Sequence, residues 1–455
     1  MRNVCVILIF IFISSINKSF LFAQVKAIQF GKIVDGQGGV ITNAVVIVNA
    51  DRIVKVGTEK DISIPPGAEI INLKSYTAIP GLIDAHTHIT FYWDKTPGSN
   101  PWTQFGTLGP AVTVFLSRQN ALKTLETGVT TVRDLGSNDY MDISMRDLIN
   151  RGEMVGPRMF VAGNGLHISN TPYSTTAHGD AGLADGIEEV QRVARQNIAA
   201  GVDWIKIYAS TGSDKDVTGF QTYTYEEMKA AADVAHMAGK RIALHSYGPG
   251  AVNDAIKAAV NTIEHATDVD DSTFSKMARA GIIYVPTIDH NRYYVAHKDE
   301  YGYDSSVVAG LNKYIDRNFE TLKKAMKAGV KIAMGSDAVF TGFGENTYEL
   351  GWFVKAGMTA AEALKTATIN GAEMLGMEKD LGVIAAGYLA DIVAVEGDPL
   401  KDINVVIHNV KWVMKGGKVV IDKTKTGHPR SSSARATHSG ALFMPCRKSR
   451  SNWAA

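Results

Sequence analysis

Cysteine is almost absent from this chain. The two that occur, Cys5 and Cys446, stand at opposite extremities of 455 residues. The interior therefore carries no disulfide framework and no thiolate metal site. An excess of one charge is lacking too: 47 Lys and Arg against 46 Asp and Glu leave a net charge of +1, which excludes a globally basic surface for a nucleic-acid partner. The apolar run Val4 to Ile13 is short of the ~20 residues that span a bilayer. It follows Met1-Arg2-Asn3 and precedes Leu21-Phe22-Ala23-Gln24, so residues 1–23 read as a signal peptide cleaved after Ala23. The alternative is an uncleaved anchor. The expected location is periplasmic or secreted, with no stable membrane span after cleavage. Residues 423–455 lack acidic side chains and any periodicity, and read as a disordered basic tail.

What remains is long enough for a large barrel and a satellite. Residues 24–79 carry short strand patterns, among them Ala44 to Asn49 and Arg52 to Gly57 around the turn Asn49-Ala50-Asp51, a hairpin signature. Strand patterns resume over 382–422, including Val405 to His408 and Lys411 to Met414. The two segments are expected to join as one discontinuous β-sandwich. Between them, over 80–381, eight short apolar runs alternate with amphipathic stretches: Leu82–Ile89, Thr130–Leu135, Met159–Ala162, Trp204–Ala209, Ile242–Tyr247, Thr262–His265, Ile282–Thr287 and Ile332–Asp337. Eight such units predict an α/β fold, a (β/α)8 TIM barrel, with its chemistry at the C-terminal ends of the strands.

The polar residues at those ends are unusual. The first run delivers His86 and His88, two positions apart and so on one face of a strand. Later runs end on or near Lys206, His245, His265 and Asp337. Taken singly, each has an ordinary reading: a satisfied polar group at a barrel mouth, a buried lysine in search of a partner, or a helix cap. Taken together they converge on one rim. Imidazoles and a carboxylate on one rim are the donor set for a divalent metal.

These residues stand in Pro-Gly-Leu-Ile-Asp-Ala-His86-Thr-His88 and Gly335-Ser336-Asp337, with Gly128-Val-Thr-Thr-Val-Arg-Asp134 and Gly387-Tyr-Leu-Ala-Asp-Ile-Val393 elsewhere. The set resembles the metal-dependent amidohydrolase superfamily, over about 27–420, and within it the Xaa-Pro dipeptidase-like (prolidase-related) branch. The resemblance implies two divalent metal ions, with Zn2+ suited to the donors. His86, His88 and Asp337 would hold one ion and His245 and His265 the other. Lys206, carboxylated by CO2, and a hydroxide would bridge them. It further implies hydrolysis of an amide or peptide bond in a small dipeptide or N-acyl amino acid, with Asp337 as proton shuttle. His178 and Tyr247 would bind the substrate carbonyl or the transition state. At His178 the chain reads Thr-Ala-His-Gly where the branch has Gly-Gly-His-Gly. Packing between barrels, common in the family, makes a homo-oligomer a partner option.

Two other readings stay open. One is a mononuclear cyclic-amide hydrolase or deaminase of the imidazolonepropionase type, which Lys206 disfavours because one ion needs no bridge. The other is a non-catalytic scaffold, disfavoured because every ligand position is filled. Glu264 is expected to point away from the site, and Arg133 and Asp134 to be structural or to support the ligands from behind rather than to be catalytic. His290 and Arg292 follow the seventh run, where a cation suits a substrate carboxylate; the alternative is an ordinary exposed loop arginine. His167 shares the loop of His178. His236, His297, His408, His428 and His438 belong to no constellation.

Overall fold

The computed structural model describes residues 25–97, 99–104, 107–169, 180–212 and 218–424. The expected signal peptide, His178, His428, His438 and nearly all of the basic tail lie outside these residues.

Four strands open the chain: β1 (Lys26–Val34), β2 (Val40–Asn49), β3 (Arg52–Thr58) and β4 (Glu69–Pro80). β1 and β2 pair antiparallel. Asp35 shapes the turn between them, its Oδ1 accepting from the backbone N–H groups of Gln37, Gly38 and Gly39. Gly81 alone separates β4 from β5 (Leu82–Thr87). A Cβ there would lie 2.3 Å from Thr130 Oγ1, so only glycine lets the two layers approach.

β5, β6 (Val129–Asp134) and β7 (Arg158–Val161) form one parallel sheet. β8 (Trp204–Tyr208) is followed by a small hairpin of β9 (Ser210–Thr211) and β10 (Phe220–Gln221). β8 then pairs in parallel with β11 (Arg241–Ser246), which continues to β12 (Thr262–His265) and β13 (Ile283–Val285). Helices lie between the strands, and local chemistry delimits them. Thr224 and Glu227 make a reciprocal capping box before the helix Tyr225–Met237, and Asp304 caps Ser305–Lys327, each satisfying backbone N–H groups that the first turn leaves free.

The two parallel sheets are joined at both margins. On one side Leu166 N–H donates to Lys206 O at 2.8 Å, and Tyr208 N–H donates to Leu166 O at 2.9 Å. On the other, Tyr284 bridges to Ile332 and Thr87 to Ala338, and Ala85 N–H donates to Met334 O at 2.7 Å. The eighth expected run, 332–337, is thus held by bridges and is not a regular strand. Asp337 takes a left-handed φ of 51°, which breaks the pleat.

The last strands are β14 (Ile392–Val395), β15 (Val410–Lys415) and β16 (Lys418–Asp422). The sandwich expectation needs correcting. Early and late strands form one continuous sheet of seven, β16-β15-β14-β4-β1-β2-β3, joined where β4 and β14 run antiparallel. Both halves share one core of Ile28, Phe30, Val46, Leu73, Ile392, Trp412 and Met414. Residues 405–408, expected as strand, lie in the short helix Asn404–His408; Asp402 Oδ1 accepts from Asn404 N–H and turns the chain there. Among the described residues no helix is long and apolar enough to cross a membrane.

Trp412 is 1% exposed and meets Phe30 edge-on at 6.5 Å. Trp412→Ala is expected to cost about 3–5 kcal/mol, read as a lowered urea midpoint at unchanged slope.

Candidate functional site

β5 carries His86 and His88 side by side, their ring centroids 5.3 Å apart. Each ring is oriented by a hydrogen bond from its inner nitrogen. His86 Nδ1 lies 2.9 Å from Glu264 Oε2, and His88 Nδ1 lies 3.1 Å from Gly136 O. The outer nitrogens converge on Asp337: His86 Nε2 and His88 Nε2 stand 3.5 and 3.3 Å from Oδ1. The ligand atoms of these three residues lie within 4.8 Å of one another. His86 Nε2 is buried with no hydrogen-bond partner among the described residues. A buried nitrogen left bare is costly, and a cation would satisfy it.

The remaining expected residues among those described join the same mouth. The His265 ring lies 4.9 Å from His86 and 4.6 Å from His245. Its Nδ1 is held by Thr287 Oγ1 at 2.7 Å. Tyr247 stacks on His265 at 4.8 Å and meets His245 edge-on at 4.5 Å. Lys206 is fully buried, and its Nζ has no hydrogen-bond partner among the described residues.

Electrostatics suit a cation site. Burial, and next the Lys206 charge, lower His86 to about 4. Burial holds His245 well below the usual histidine range, with His265 adding to it. Burial does the same for His265 against the pull of Asp337. These three imidazoles are therefore neutral at pH 7, the form that offers a lone pair. Burial would raise Asp337, but His290, His86 and His88 together outweigh it, so its carboxyl is held well below the usual range. Burial lowers Lys206 to about 8, against the pull of Glu264 and Asp337.

Glu264 does not point away from the site. Strand alternation predicts opposite faces for neighbours 264 and 265. The backbone at His265 is left-handed, with φ 73°, so that both side chains reach His86. His290 also belongs to the mouth, its Nε2 3.6 Å from Asp337 Oδ2. Arg292 is not available to a substrate carboxylate: Asp289 at 3.0 and 2.7 Å and Glu345 at 2.5 Å already engage its guanidinium. Asp134 is structural as expected, accepting from Ile89 N–H and Thr87 Oγ1 at 2.6 and 2.9 Å. Of the other histidines, His167 Nδ1 lies 3.0 Å from Gly165 O, and His297 stacks on Tyr293.

Asp84 is the residue that sequence reasoning misses. It accepts from Ser336 N–H at 2.9 Å, Ser336 Oγ at 2.6 Å and Asn346 Nδ2 at 3.0 Å. It thereby ties the strand bearing His86 to the turn bearing Asp337. The signal was its spacing, two residues before His86 on the same face.

The sequence profile described as "Amidohydrolase family" matches residues 77–420. Ochratoxinase of Aspergillus niger is 30% identical over 438 residues, covering 87% of either chain. The crystal structure of a Xaa-Pro dipeptidase with bound methionine in the active site is similar at 32% identity and a TM-score of 0.78, covering 87% of this chain and 99% of that one. That of a prolidase complexed with N-methylphosphonate-L-proline is similar at 28% identity and a TM-score of 0.79, covering 88% and 100%.

Asp84→Ala would take an acceptor from four buried donors: Ser336 N–H and Oγ, Asn346 Nδ2, and His86 N–H at 3.2 Å. It is expected to destabilise the protein by about 2–3 kcal/mol, measured by chemical denaturation of the metal-free chain.

Proposed function

This chain belongs to the amidohydrolase family, on its prolidase-like branch, and from that premise we propose that it hydrolyses the amide or peptide bond of a small substrate, a dipeptide or an N-acyl amino acid, on a two-metal site. The observation that carries the proposal is the pair of bare buried nitrogens, His86 Nε2 and Lys206 Nζ, in one mouth with Asp337. The scaffold is read as a closed (β/α)8 barrel, with the seven-stranded sheet as a second unit. The leader, residues 1–23, is read as an export signal.

His86, His88 and Asp337 would hold one divalent ion, and His245 and His265 the other; neutral imidazole and carboxylate suit Zn2+. Lys206 is buried without an acceptor, an expensive state for an ammonium group. Lowered to about 8, its amine is partly neutral at pH 7. A neutral amine adds CO2, releases a proton and becomes an anion able to bridge two cations. When bound, the two ions supply a water of lowered pKa and an electrophile for the scissile carbonyl.

The chain's own groups do the rest. Against the effect of burial, Asp337 is held well below the usual carboxylate range, with His290 the largest lowering cause, so it is ionised and accepts the proton of the attacking water and passes it to the departing amine. Tyr247 is half-buried beside His245 and His265. Its hydroxyl donates to the carbonyl oxygen as charge develops there. His178 is assigned the same task from its place in the sequence.

Metal content per chain tests this reading, in wild type and in Lys206→Ala grown with zinc and bicarbonate. About two ions in wild type, falling sharply in the variant together with dipeptide hydrolysis, are expected. About one ion in both would refute the two-metal mechanism in favour of a mononuclear site acting on cyclic amides or by deamination.

A further inference from the structure

Beneath the imidazoles lies an ion pair that the mechanism above does not use. Arg133 and Glu264 are both fully buried and meet at 2.8 Å. Arg133 is fixed by three acceptors: Ala85 O from Nε at 2.6 Å, Thr262 Oγ1 from Nη1 at 2.9 Å, and Glu264 Oε1 from Nη2. Its guanidinium also lies 4.4 Å from the centre of the Trp204 ring. Glu264 therefore has one oxygen committed to Arg133 and the other 2.9 Å from His86 Nδ1.

That arrangement decides where the proton on His86 resides. An ionised carboxylate can only accept, so Nδ1 must carry the hydrogen. Nε2 is then a bare lone pair, aimed at the space it shares with Asp337 Oδ1, 3.5 Å away. We propose that Glu264 is a positioning residue that fixes His86 in the Nδ1–H tautomer, with Arg133 holding it in place. The inference rests on reading His86 as a metal ligand.

Glutamine separates this role from mere packing. It has almost the same shape, but its two ends differ. Arg133 has only donors and claims the carboxamide oxygen. The NH2 group then faces His86 Nδ1, which must become the acceptor. The ring proton moves to Nε2 and occupies the atom that the ion needs. Glu264→Gln thus inverts the tautomer at one ligand and leaves the hydrogen bond between His265 Nδ1 and Thr287 in place.

The test uses the full chain labelled with 15N-histidine and stripped of metal. Long-range 1H–15N correlation reads the tautomer, and the His86 signals are identified by their loss in His86→Asn. Wild type is expected to show Nδ1–H, and Glu264→Gln to show Nε2–H. Zinc titration against a chelator is expected to find one ion bound ~10–100-fold more weakly in Glu264→Gln, the usual scale for losing such a partner. The other ion stays at its wild-type affinity, and kcat falls with little change in KM. Nε2–H in wild type would overturn the proposal even if the variant did not fold. So would an unchanged tautomer in the variant, or equal weakening of both ions. A wild type that shows Nδ1–H but binds no zinc would refute the metal reading while leaving the positioning role intact.

Discussion

Arg133 and Glu264 face each other at 2.8 Å with neither side chain exposed, and the interior is arranged around them. A buried carboxylate without a cation would take up a proton. Burial does push Glu264 upward, but Arg133 first and then His86 outweigh it and bring it to about 2. The same guanidinium reaches β5 through Ala85 O and β12 through Thr262. Removing either partner would leave an uncompensated buried charge. The pair therefore couples three strands to one imidazole of the candidate metal site.

Above that pair the strand ends depart from extended geometry. His265, Thr287 and Asp337 have φ values of 73°, 51° and 51°. Each left-handed residue of this kind costs about 1–3 kcal/mol. In return, each turns a side chain that alternation would send elsewhere into the mouth. Thr287 Oγ1 then fixes His265, and the turn before Asp337 is clamped by Asp84 through Ser336. These are three of the twelve left-handed non-glycine residues among those described, and hydrogen bonds from the surrounding strands hold them at the mouth.

The seven-stranded sheet serves the site as well as its own core. β4 runs to Pro80 and only Gly81 intervenes before β5, so the strand that carries His86 and His88 leaves directly from a packed sheet. Asp391, next to β14, reinforces the junction: its backbone oxygen accepts from Gly81 N–H at 2.8 Å, and its carboxylate binds Arg158 at 2.7 Å. Segments from both ends of the chain thus brace the first strand of the site.

Much of this was legible in the sequence. Period-two spacing places His86 and His88 on one face, and seven of the eight apolar runs contain strands. That follows from local rules, since side-chain direction in a strand depends only on the residues beside it. What local rules cannot reach is where the backbone leaves the pleat. Alternation sends Glu264 to the wrong face because His265 is left-handed, and nothing in Glu264-His265 announces that. Arg292 looked available until Asp289 and Glu345 proved to hold it. The two β segments read as a sandwich, but the pairing of β4 with β14 across more than three hundred residues made them one sheet. The sequence by itself determined which residues line the candidate site and in what order they appear. Only the tertiary structure decided which way each of them faces and what holds it, because orientation and charge state depend on partners distant in the chain.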